Sequence, residues 1–304
     1  MKKIVTSYQE PDLDGVSSMY AYAEYLNKIG IQSDYYIHGL PKKEVEIVCD
    51  IFDIKLKGTD NISPEQEIIV VDTNNMEEIP FINPLNIIEI IDHHSKNPTS
   101  DLCTRAKMQI ERIGAVSTLI AEKFKNNNIK ISRESAILLY YGIISNSINL
   151  KASITSKKDI EMTKWLEQQC DGIDREKIKT IFELKSQIED KDLRKEMEAE
   201  VSFKYKDKLI SIAQLEIANI EKFLEDKKEK IIEILQEIKR EKSLDYIFIN
   251  LVDILNGFNI ILTINIETEK VLRETFGFNF ENNICKINRI IQRKELSKVL
   301  KERK

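Results

Sequence analysis

The sequence predicts an α/β protein: a parallel sheet with helices on both faces, followed by a smaller α/β domain. Short apolar runs alternate with longer amphipathic stretches, the pattern of strands joined by crossover helices. Three of the runs end in acidic or histidine residues, and parallel strands bring such ends to one edge of a sheet. Only 9 glycines and 6 prolines occur in 304 residues, which leaves room for long helices.

Length and composition limit the class of protein. A length of 304 residues exceeds one ordinary domain and predicts two. A net charge of −5 argues against a broad nucleic-acid surface or a membrane-surface role. No apolar run approaches the length of a membrane span, and the N-terminus lacks a signal-peptide core. Four scattered cysteines without metal-type spacing indicate reduced thiols in a cytoplasmic protein: Cys49, Cys103, Cys170 and Cys285.

The N-terminal half predicts alternating strands and helices. The first strand covers residues 3–7 and leads through a turn into a helix that carries Val16 and Met19 on its apolar side. Further strands are predicted at 32–36, 68–72 and 86–94, and further helices at 44–52, 114–125, 135–145, 155–166 and 174–185. The helix at 155–166 is expected to be capped by Thr155 or Ser156, with Asp159 in its first turn.

The stretch 86–94, which reads N-I-I-E-I-I-D-H-H, is the centre of the predicted organisation. Its isoleucine-rich run is too short for a typical helix and predicts a buried strand. The strand ends in Asp92, His93 and His94, so a carboxylate and two imidazoles follow a rigid element. Such a set of side chains suits a divalent metal ion.

Carboxylates also follow two other predicted strands. Asp12 and Asp14 lie on the turn after the strand 3–7, and Asp72 ends the strand 68–72. Two carboxylates separated by one residue can point into the same small volume when a cation offsets their repulsion. The alternative is that Asp12 or Asp14 is only the N-cap of the helix that follows. Acidic or histidine residues at three strand ends in one domain favour a metal site.

The C-terminal half predicts a second α/β unit after a charged segment. Residues 187–198 are densely charged and lack Gly and Pro, and we interpret them as a linker. The elements that follow are a strand at 208–216, a Lys/Glu-rich helix at 221–241 and adjacent strands at 246–255 and 260–266. The predicted domains are therefore residues 1–186 and 199–304, with 187–198 between them.

At this point the motifs resemble a known family. Three of them resemble the first motifs of the DHH phosphoesterase superfamily: Asp12-x-Asp14, Val71-Asp72-Thr73 and Asp92-His93-His94. The stretch from Gly142 to Ser147, with Thr155 and Asp159, resembles the fourth motif. Stretches in the second half resemble the domain that follows in manganese-dependent (family II) inorganic pyrophosphatases and related exopolyphosphatases: 213–216, 251–255 and 292–294. The resemblance covers nearly the whole chain.

The resemblance implies two divalent cations, Mn²⁺ or Mg²⁺, in a cleft between the domains. Asp72 would bridge the ions, Asp12 would bind one of them, and Asp14 and His93 would bind the other. Asn146 stands where the family has a metal-binding Asp. Its amide oxygen can coordinate without a formal charge, and the alternative is a turn residue. Two ions held in this way can bind and deprotonate a bridging water.

The resemblance also implies which groups meet the substrate. His94 would face a substrate phosphate and would belong, with Asp72, to the catalytic set. Arg293 and Lys294 would come from the second domain and hold phosphate oxygens, a role that suits cationic side chains. Gln214 and Glu216, which lie in a matching motif of the second half, are expected to be structural.

The chain departs from the pyrophosphatase pattern at four positions. Tyr8 replaces a metal-binding His, Asn146 a metal-binding Asp and Glu295 a basic residue, while Val201 lies near an expected phosphate-binding Lys. Loss of an imidazole should weaken the binding of Mn²⁺-like ions and leave an oxygen-rich site suited to Mg²⁺. Fewer cations should also lower the affinity for pyrophosphate. We expect Tyr8 to pack beside the ligands or to support them from behind.

The sequence-based hypothesis is a metal-dependent phosphoanhydride hydrolase that acts on inorganic pyrophosphate or short polyphosphate through a metal-activated water. Two rival functions use the same scaffold. One is a phosphoesterase of nucleotides or short oligonucleotides, against which the acidic charge argues. The other is a regulatory phosphate-binding protein that has lost catalysis. The departures from the family pattern at Tyr8, Asn146 and Val201 support this hypothesis. Family resemblance suggests a homodimer.

Overall fold

The computed structural model describes residues 2–171, 173–198 and 201–302. The chain divides into two compact units. The N-terminal unit consists of Met1–Leu150 and Ile154–Ile181, and the C-terminal unit of Lys151–Ser153 and Phe182–Lys304. Within the described ranges, no helix combines the length and the apolar character that a membrane crossing needs.

The N-terminal unit is built on a five-stranded parallel sheet with the order β2-β1-β3-β4-β5. The strands are β1 (Lys3–Thr6), β2 (Ser33–Tyr36), β3 (Ile68–Val71), β4 (Ile87–Asp92) and β5 (Lys107–Ile110). The parallel sheet is confirmed, although β5 was not predicted. The three strands expected to end in functional residues, β1, β3 and β4, are immediate neighbours. Their carboxyl ends therefore lie side by side at one sheet edge.

The helices described in this half of the chain are α1 (Leu13–Lys28), α2 (Lys43–Phe52), α3 (Val116–Asn126), α4 (Arg133–Asn146), α5 (Lys157–Glu167) and α6 (Arg175–Lys185). The boundary between the two units falls within α6, after Ile181. Helix α1 contacts β1, β2 and β3, and α3 contacts β4. The face that carries Ile4, Val70 and Ile90 packs against Met76 and Ile79, which lie in or beside the short 3₁₀ helix Met76–Glu78. The helices are thus long on one face and short on the other.

A largely buried carboxylate, Glu24 of α1, ties this helix to the start of α4. It accepts hydrogen bonds from the backbone N–H of Ser132 at 2.8 Å and from the hydroxyls of Ser132 and Ser135 at 2.5 Å each. Lys28 forms an ion pair with it at 2.6 Å. Burial acts to raise the pKa of Glu24, but the hydrogen bonds from Lys28 and Ser132 outweigh it and hold the pKa below its usual value.

Glu24→Gln is therefore expected to lower the free energy of unfolding by about 1–3 kcal/mol at pH 7, because buried donors lose a charged acceptor. A carboxyl group with a lowered folded-state pKa stabilises the protein above its unfolded pKa, and this contribution is lost as pH falls through the folded pKa. The difference from wild type should shrink below about pH 4. Urea unfolding at both pH values measures it, with the exposed Glu161→Gln as control. An equal difference at both pH values would contradict the assignment.

The C-terminal unit contains a mixed five-stranded sheet with the order β10-β9-β8-β7-β6. Its strands are β6 (Val201–Tyr205), β7 (Lys208–Ile217), β8 (Tyr246–Asp253), β9 (Phe258–Thr263) and β10 (Ile284–Ile287). Only the β7–β8 pair is parallel. The helices are α7 (Asp190–Glu198), α8 (Ile220–Glu241), α9 (Ile266–Phe276) and α10 (Arg293–Glu302). The predicted strands 246–255 and 260–266 are confirmed as neighbours, except that α9 already begins at Ile266.

The predicted linker 187–198 contains α7. Its Leu193 and Met197, four residues apart on one helical face, are buried in a core with residues of β7 and α8. Spacing by four residues lets a highly charged helix keep one apolar stripe. Because of this stripe the segment packs as part of the C-terminal unit. The domain limits 1–186 and 199–304 stay a prediction.

Candidate metal centre

The carboxyl ends of β3 and β4 bring four potential metal ligands together. One ligand atom from each of Asp72, Asp92, His93 and His94 lies within 4.8 Å of the others. Asp72, Asp92 and His93 are buried, and His94 is partly exposed. All four belong to the motifs that were identified from the sequence. Their grouping provides the polar site that was expected at this sheet edge.

Asp72 occupies an unusual backbone conformation directly after β3. Its φ of +63° lies in the left-handed region, which Asp and Asn tolerate better than other non-glycine residues. The backbone N–H donates to the carbonyl of Ile91 at 2.9 Å, and Oδ1 lies 3.4 Å from His93 Nε2. Helix α1 approaches closely at Gly15, where a Cβ atom would lie 3.3 Å from Asp72 Oδ2. The turn thus aims the carboxylate between β4 and the start of α1.

His93 is oriented by a backbone carbonyl. Its Nδ1 lies 3.0 Å from the carbonyl oxygen of Ile113, which can only accept, so Nδ1 carries the hydrogen. The lone pair is then on Nε2, the atom that faces Asp72 at 3.4 Å. Metal-binding histidines are commonly held in this way, with one ring nitrogen donating to the protein and the other left for the ion.

Asp92 supports the two histidines. Its Oδ1 accepts from the backbone N–H of His93 at 2.7 Å, from that of His94 at 3.2 Å and from His94 Nδ1 at 2.9 Å. Its Oδ2 accepts from the side-chain amide of Asn74. Burial acts to raise the pKa of Asp92, but hydrogen bonds from His94 and Asn74 hold it below its usual value. With its lone pairs engaged in this way, we interpret Asp92 as an orienting group behind His93 and His94.

The same contact fixes the tautomer of His94. Because Nδ1 donates to Asp92, Nε2 points away from the support and carries the lone pair. The side chain is 39% exposed, compared with 5% for His93. His94 therefore has the accessible ring nitrogen that contact with a substrate requires.

Asp12 and Asp14 lie at the start of α1, as predicted. Asp12 is its N-cap, with Oδ1 accepting from the backbone N–H of Gly15 at 3.0 Å, and its role as a metal ligand stays a prediction. Asp14 is 1% exposed, and burial together with the charge of Asp12 raises its pKa to about 7. Two carboxylates that disfavour each other's ionisation are the environment that a divalent cation stabilises.

Asn146, the last residue of α4, faces the same space. Its Nδ2 donates to the carbonyl of Gly114 at 2.9 Å and to Asp14 Oδ2 at 3.3 Å, and lies 3.4 Å from His93 Nε2. Because the carbonyl of Gly114 can only accept, this contact sets the amide orientation. In this orientation Asn146 presents hydrogen atoms to the site. Its role as a metal ligand stays a prediction that requires the amide to turn.

Tyr8 lies beside the first pair of carboxylates. Its hydroxyl oxygen accepts from the backbone N–H of Asp12 at 3.1 Å, and its ring packs against the core that contains Ile79. Burial, with the charges of Asp12 and Asp72, raises the pKa of the Tyr8 phenol far above its usual value. The phenol is therefore neutral, as expected for a group that packs beside the ligands.

Arg293 and Lys294 are the first two residues of α10 in the C-terminal unit. The backbone N–H of Arg293 donates to Gln214 Oε1 at 2.7 Å. The segment before the helix is held by two buried amides, since the Nδ2 atoms of Asn250 and Asn259 donate to the carbonyl of Ile291 at 2.9 and 2.7 Å. Asn250 also donates to Gln214 Oε1 at 2.9 Å. This amide network fixes the backbone that carries the positively charged side chains of Arg293 and Lys294.

Two of the departures from the family pattern also have structural partners. Glu295 accepts from the backbone N–H of Gln292 at 3.0 Å and from the hydroxyl of Ser153 at 2.8 Å. Glu295 thus helps to cap the N-terminus of α10, which a basic side chain at this position could not do. Val201 begins β6 and pairs with Ile212 of β7. A strand position with a partly buried side chain accounts for the apolar residue.

Some residues of the site were not predicted from the sequence. Asn74 beside Asp92 and the backbone of residues 113–117 around His93 and Asp14 are the main ones. Asn74 has a weak sequence signal, since it follows Asp72 and Thr73 at a strand end. Backbone groups of 113–117 have none, because donors and acceptors of the main chain are the same for every sequence.

Comparisons with known proteins agree with this architecture. Residues 2–143 match the DHH family, N-terminal domain. The manganese-dependent inorganic pyrophosphatase of Bacillus subtilis is 27% identical over 302 residues, 97% of this chain and 96% of that protein. A Methanococcus jannaschii crystal structure described as a family II inorganic pyrophosphatase has a TM-score of 0.71 at 22% identity, covering 100% of this chain and 99% of that one. An exopolyphosphatase-related protein of Bacteroides fragilis has a TM-score of 0.50 at 16% identity, with 99% and 91% covered.

Proposed function

We propose that this chain, which carries a DHH family N-terminal domain at residues 2–143, is a metal-dependent phosphohydrolase that cleaves inorganic pyrophosphate. The supporting observation is the grouping of Asp72, His93 and His94 at one sheet edge. It occurs in a chain that is similar over 97% of its length to a manganese-dependent inorganic pyrophosphatase. Short polyphosphate, which also has phosphoanhydride bonds, is the second substrate to be tested.

The residues present fit divalent cations. Asp72 and His93 offer an oxygen and a nitrogen 3.4 Å apart. Asp12 and Asp14 add two carboxylates, and burial together with the charge of Asp12 raises the pKa of Asp14. We propose that Asp12, Asp14, Asp72 and His93 hold the ions, with Asn146 as a further ligand once its amide turns. When bound, Mn²⁺ or Mg²⁺ would acidify the attacking water and stabilise charge on the phosphoryl group.

The chain's own side chains supply orientation and charge. Asp92 holds His94 so that Nε2 is accessible, and in the protonated imidazolium Nε2 can donate a hydrogen bond or a proton to a phosphate oxygen. Arg293 and Lys294, on the amide-anchored start of α10, bind phosphate oxygens of the leaving group. Asp72, which directly follows β3, places a carboxylate oxygen 3.4 Å from His93 Nε2, so both can bind the same ion.

Hydrolysis of a substrate panel tests the function. Pyrophosphate, tripolyphosphate and a dinucleotide are each incubated with Mn²⁺, Mg²⁺ or Co²⁺. Inorganic phosphate is measured for the first two substrates and mononucleotide for the dinucleotide. The proposal predicts the fastest hydrolysis for pyrophosphate. Faster hydrolysis of tripolyphosphate would favour an exopolyphosphatase, and faster hydrolysis of the dinucleotide would favour a nucleotide phosphoesterase.

A regulatory phosphate-binding protein is the second candidate. The amide of Asn146, which donates to Asp14, and the neutral phenol of Tyr8 favour it, because neither adds negative charge for a cation. Metal binding without turnover of any substrate in the panel would support this candidate and contradict the first. A cytoplasmic location and a homodimer stay predictions.

Gln214→Leu is expected to raise KM for pyrophosphate about tenfold with little change in kcat. The backbone N–H of Arg293 and the amide of Asn250 would lose their shared acceptor, at a cost of about 1–3 kcal/mol. Steady-state kinetics separate the two constants. Gln214→Glu keeps an acceptor at the same position and should retain most of the affinity. Equal losses in both variants would contradict a role through the acceptor oxygen.

A further inference from the structure

One short segment, residues 113–118, contacts three of the five predicted metal ligands. Its first two carbonyl groups serve the site directly. The carbonyl of Ile113 accepts from His93 Nδ1 at 3.0 Å, and the carbonyl of Gly114 accepts from Asn146 Nδ2 at 2.9 Å. The position of this backbone therefore sets where His93 Nε2 and the Asn146 amide point.

The third contact is to Asp14. The backbone N–H of Val116 donates to Asp14 Oδ2 at 2.7 Å, and that of Ser117 donates to Oδ1 at 2.8 Å. These two N–H groups belong to the first turn of α3, where helix N–H groups lack partners within the helix. They hold both oxygens of a carboxylate that is 1% exposed. A shift of residues 113–118 would therefore move Asp14 and His93 together.

This segment is itself anchored by one carboxylate, Asp159 of α5, which is fully buried. Asp159 Oδ2 accepts from the backbone N–H of Gly114 at 2.9 Å, and Oδ1 accepts from the Thr118 hydroxyl at 2.5 Å. Oδ2 also accepts from the backbone N–H and the hydroxyl of Ser156 at 2.6 and 2.7 Å. Four donors on one carboxylate join the start of α5 to both ends of the segment.

The contact between Gly114 and Asp159 leaves no space for a side chain. A Cβ atom added at Gly114 would lie 2.9 Å from both Cγ and Oδ2 of Asp159. Since this separation is shorter than van der Waals contact, an alanine would push the segment and the carboxylate apart. The glycine is therefore needed for close approach, not for an unusual φ.

We propose that Asp159 is a positioning residue of the metal site. Its carboxylate oxygens accept from Gly114, Thr118 and Ser156. It acts through residues 113–118, which orient His93 and Asp14. The proposal rests on the proposed metal site but not on the identity of the substrate. It also assigns a role to the buried Asp159 beyond the capping of α5 that the sequence predicted.

Mn²⁺ affinity of the full chain, measured by titration calorimetry, tests the proposal. Asp159→Asn replaces one acceptor oxygen by an NH₂ group, so at least one of the four donors loses its partner. The expected result is a Kd for Mn²⁺ that is about 10–100-fold higher, the usual effect of removing support behind a metal ligand. Gly114→Ala should raise Kd in the same direction. Far-UV circular dichroism and thermal unfolding establish that each variant is folded.

Ser156→Ala is the matched control. It removes one of the cap donors on Asp159 and leaves the contacts with Gly114 and Thr118 in place. The expected result is lower thermal stability with a Kd for Mn²⁺ within about twofold of wild type, as a cap contributes about 1 kcal/mol to helix stability. Equal weakening in Ser156→Ala and Asp159→Asn, or unchanged affinity in a folded Asp159→Asn, would overturn the proposal. Binding is read without turnover, so an inactive wild type would contradict only the proposed function.

Discussion

Asp72→Asn is expected to reduce pyrophosphate hydrolysis about 10³-fold without unfolding the protein. Metal ions contribute several kcal/mol to stabilisation of a phosphoryl transition state, and each 1.4 kcal/mol is about tenfold in rate. The carboxylate lies 3.4 Å from His93 Nε2, so it is placed to share an ion with that imidazole. An amide in its place keeps the shape of the side chain and removes the negative charge.

The choice of asparagine follows from the backbone. At a φ of +63° an alanine would add strain, whereas Asn tolerates the left-handed region. A loss of activity in Asp72→Asn is therefore attributable to the charge. Asp53→Asn is the matched control, because Asp53 is exposed and has a φ of +52° at the end of α2. Its activity should equal that of wild type. A folded Asp72→Asn that retains more than a tenth of the wild-type rate would contradict the assignment.

The functional edge of the N-terminal sheet could be predicted because its strands are short and apolar and are followed by carboxylate or imidazole side chains. The run at 68–72 ends in Asp72, the run at 86–94 ends in Asp92-His93-His94, and the run at 3–7 is followed on the next turn by Asp12 and Asp14. Parallel pairing of β1, β3 and β4 then brings Asp14, Asp72 and His93 towards each other. The spacing of apolar residues and the polar residues after each strand are local properties, so they can be identified from the sequence without knowledge of the fold.

The remaining parts of the site depend on groups that are remote in sequence. From the sequence, Asp159 was a first-turn residue of α5 and part of the fourth motif. Its support of residues 113–118 was not predicted, because its contact with Gly114 spans 45 positions. The contacts of Asp14 with Val116 and Ser117 span more than 100 positions and use backbone donors. Local patterns cannot encode such pairs. The same limit explains α7, whose apolar stripe of two residues is too short to reveal burial within a charged segment.

At Asn146 the orientation of the side-chain amide in the structure differs from the one that the sequence predicts. The sequence pattern predicts an amide oxygen as a weak ligand. In the structure the amide nitrogen is the group that faces Asp14 and His93, at 3.3 and 3.4 Å. A partly positive NH₂ group among these atoms performs some of the neutralisation that a cation would provide. To present its oxygen to an ion, the Asn146 amide would have to turn and give up its hydrogen bonds to Asp14 and the carbonyl of Gly114, which lowers the gain from binding.

Asn146→Asp should reverse this balance. Without metal, a second carboxylate would face Asp14 and would lose the hydrogen bond to the carbonyl of Gly114. Repulsion of this kind shifts a pKa by about 1–3 units, which corresponds to about 1.4–4 kcal/mol. The metal-free variant should therefore unfold at a lower temperature than wild type. With an ion present the added charge becomes a ligand, and the affinity for Mn²⁺ should rise about 10–100-fold.

Thermal unfolding with and without Mn²⁺ measures both effects in one experiment. At saturating metal, each tenfold gain in affinity adds about 1.4 kcal/mol of stability to the bound state. The increase in melting temperature on adding Mn²⁺ should thus be larger for Asn146→Asp than for wild type, although its metal-free value is lower. Asn149→Asp adds the same charge three residues further along the chain and should leave the increase unchanged. If Asn146→Asp and wild type gain equally from Mn²⁺, position 146 is not at the ion, and the amide is a structural end to α4.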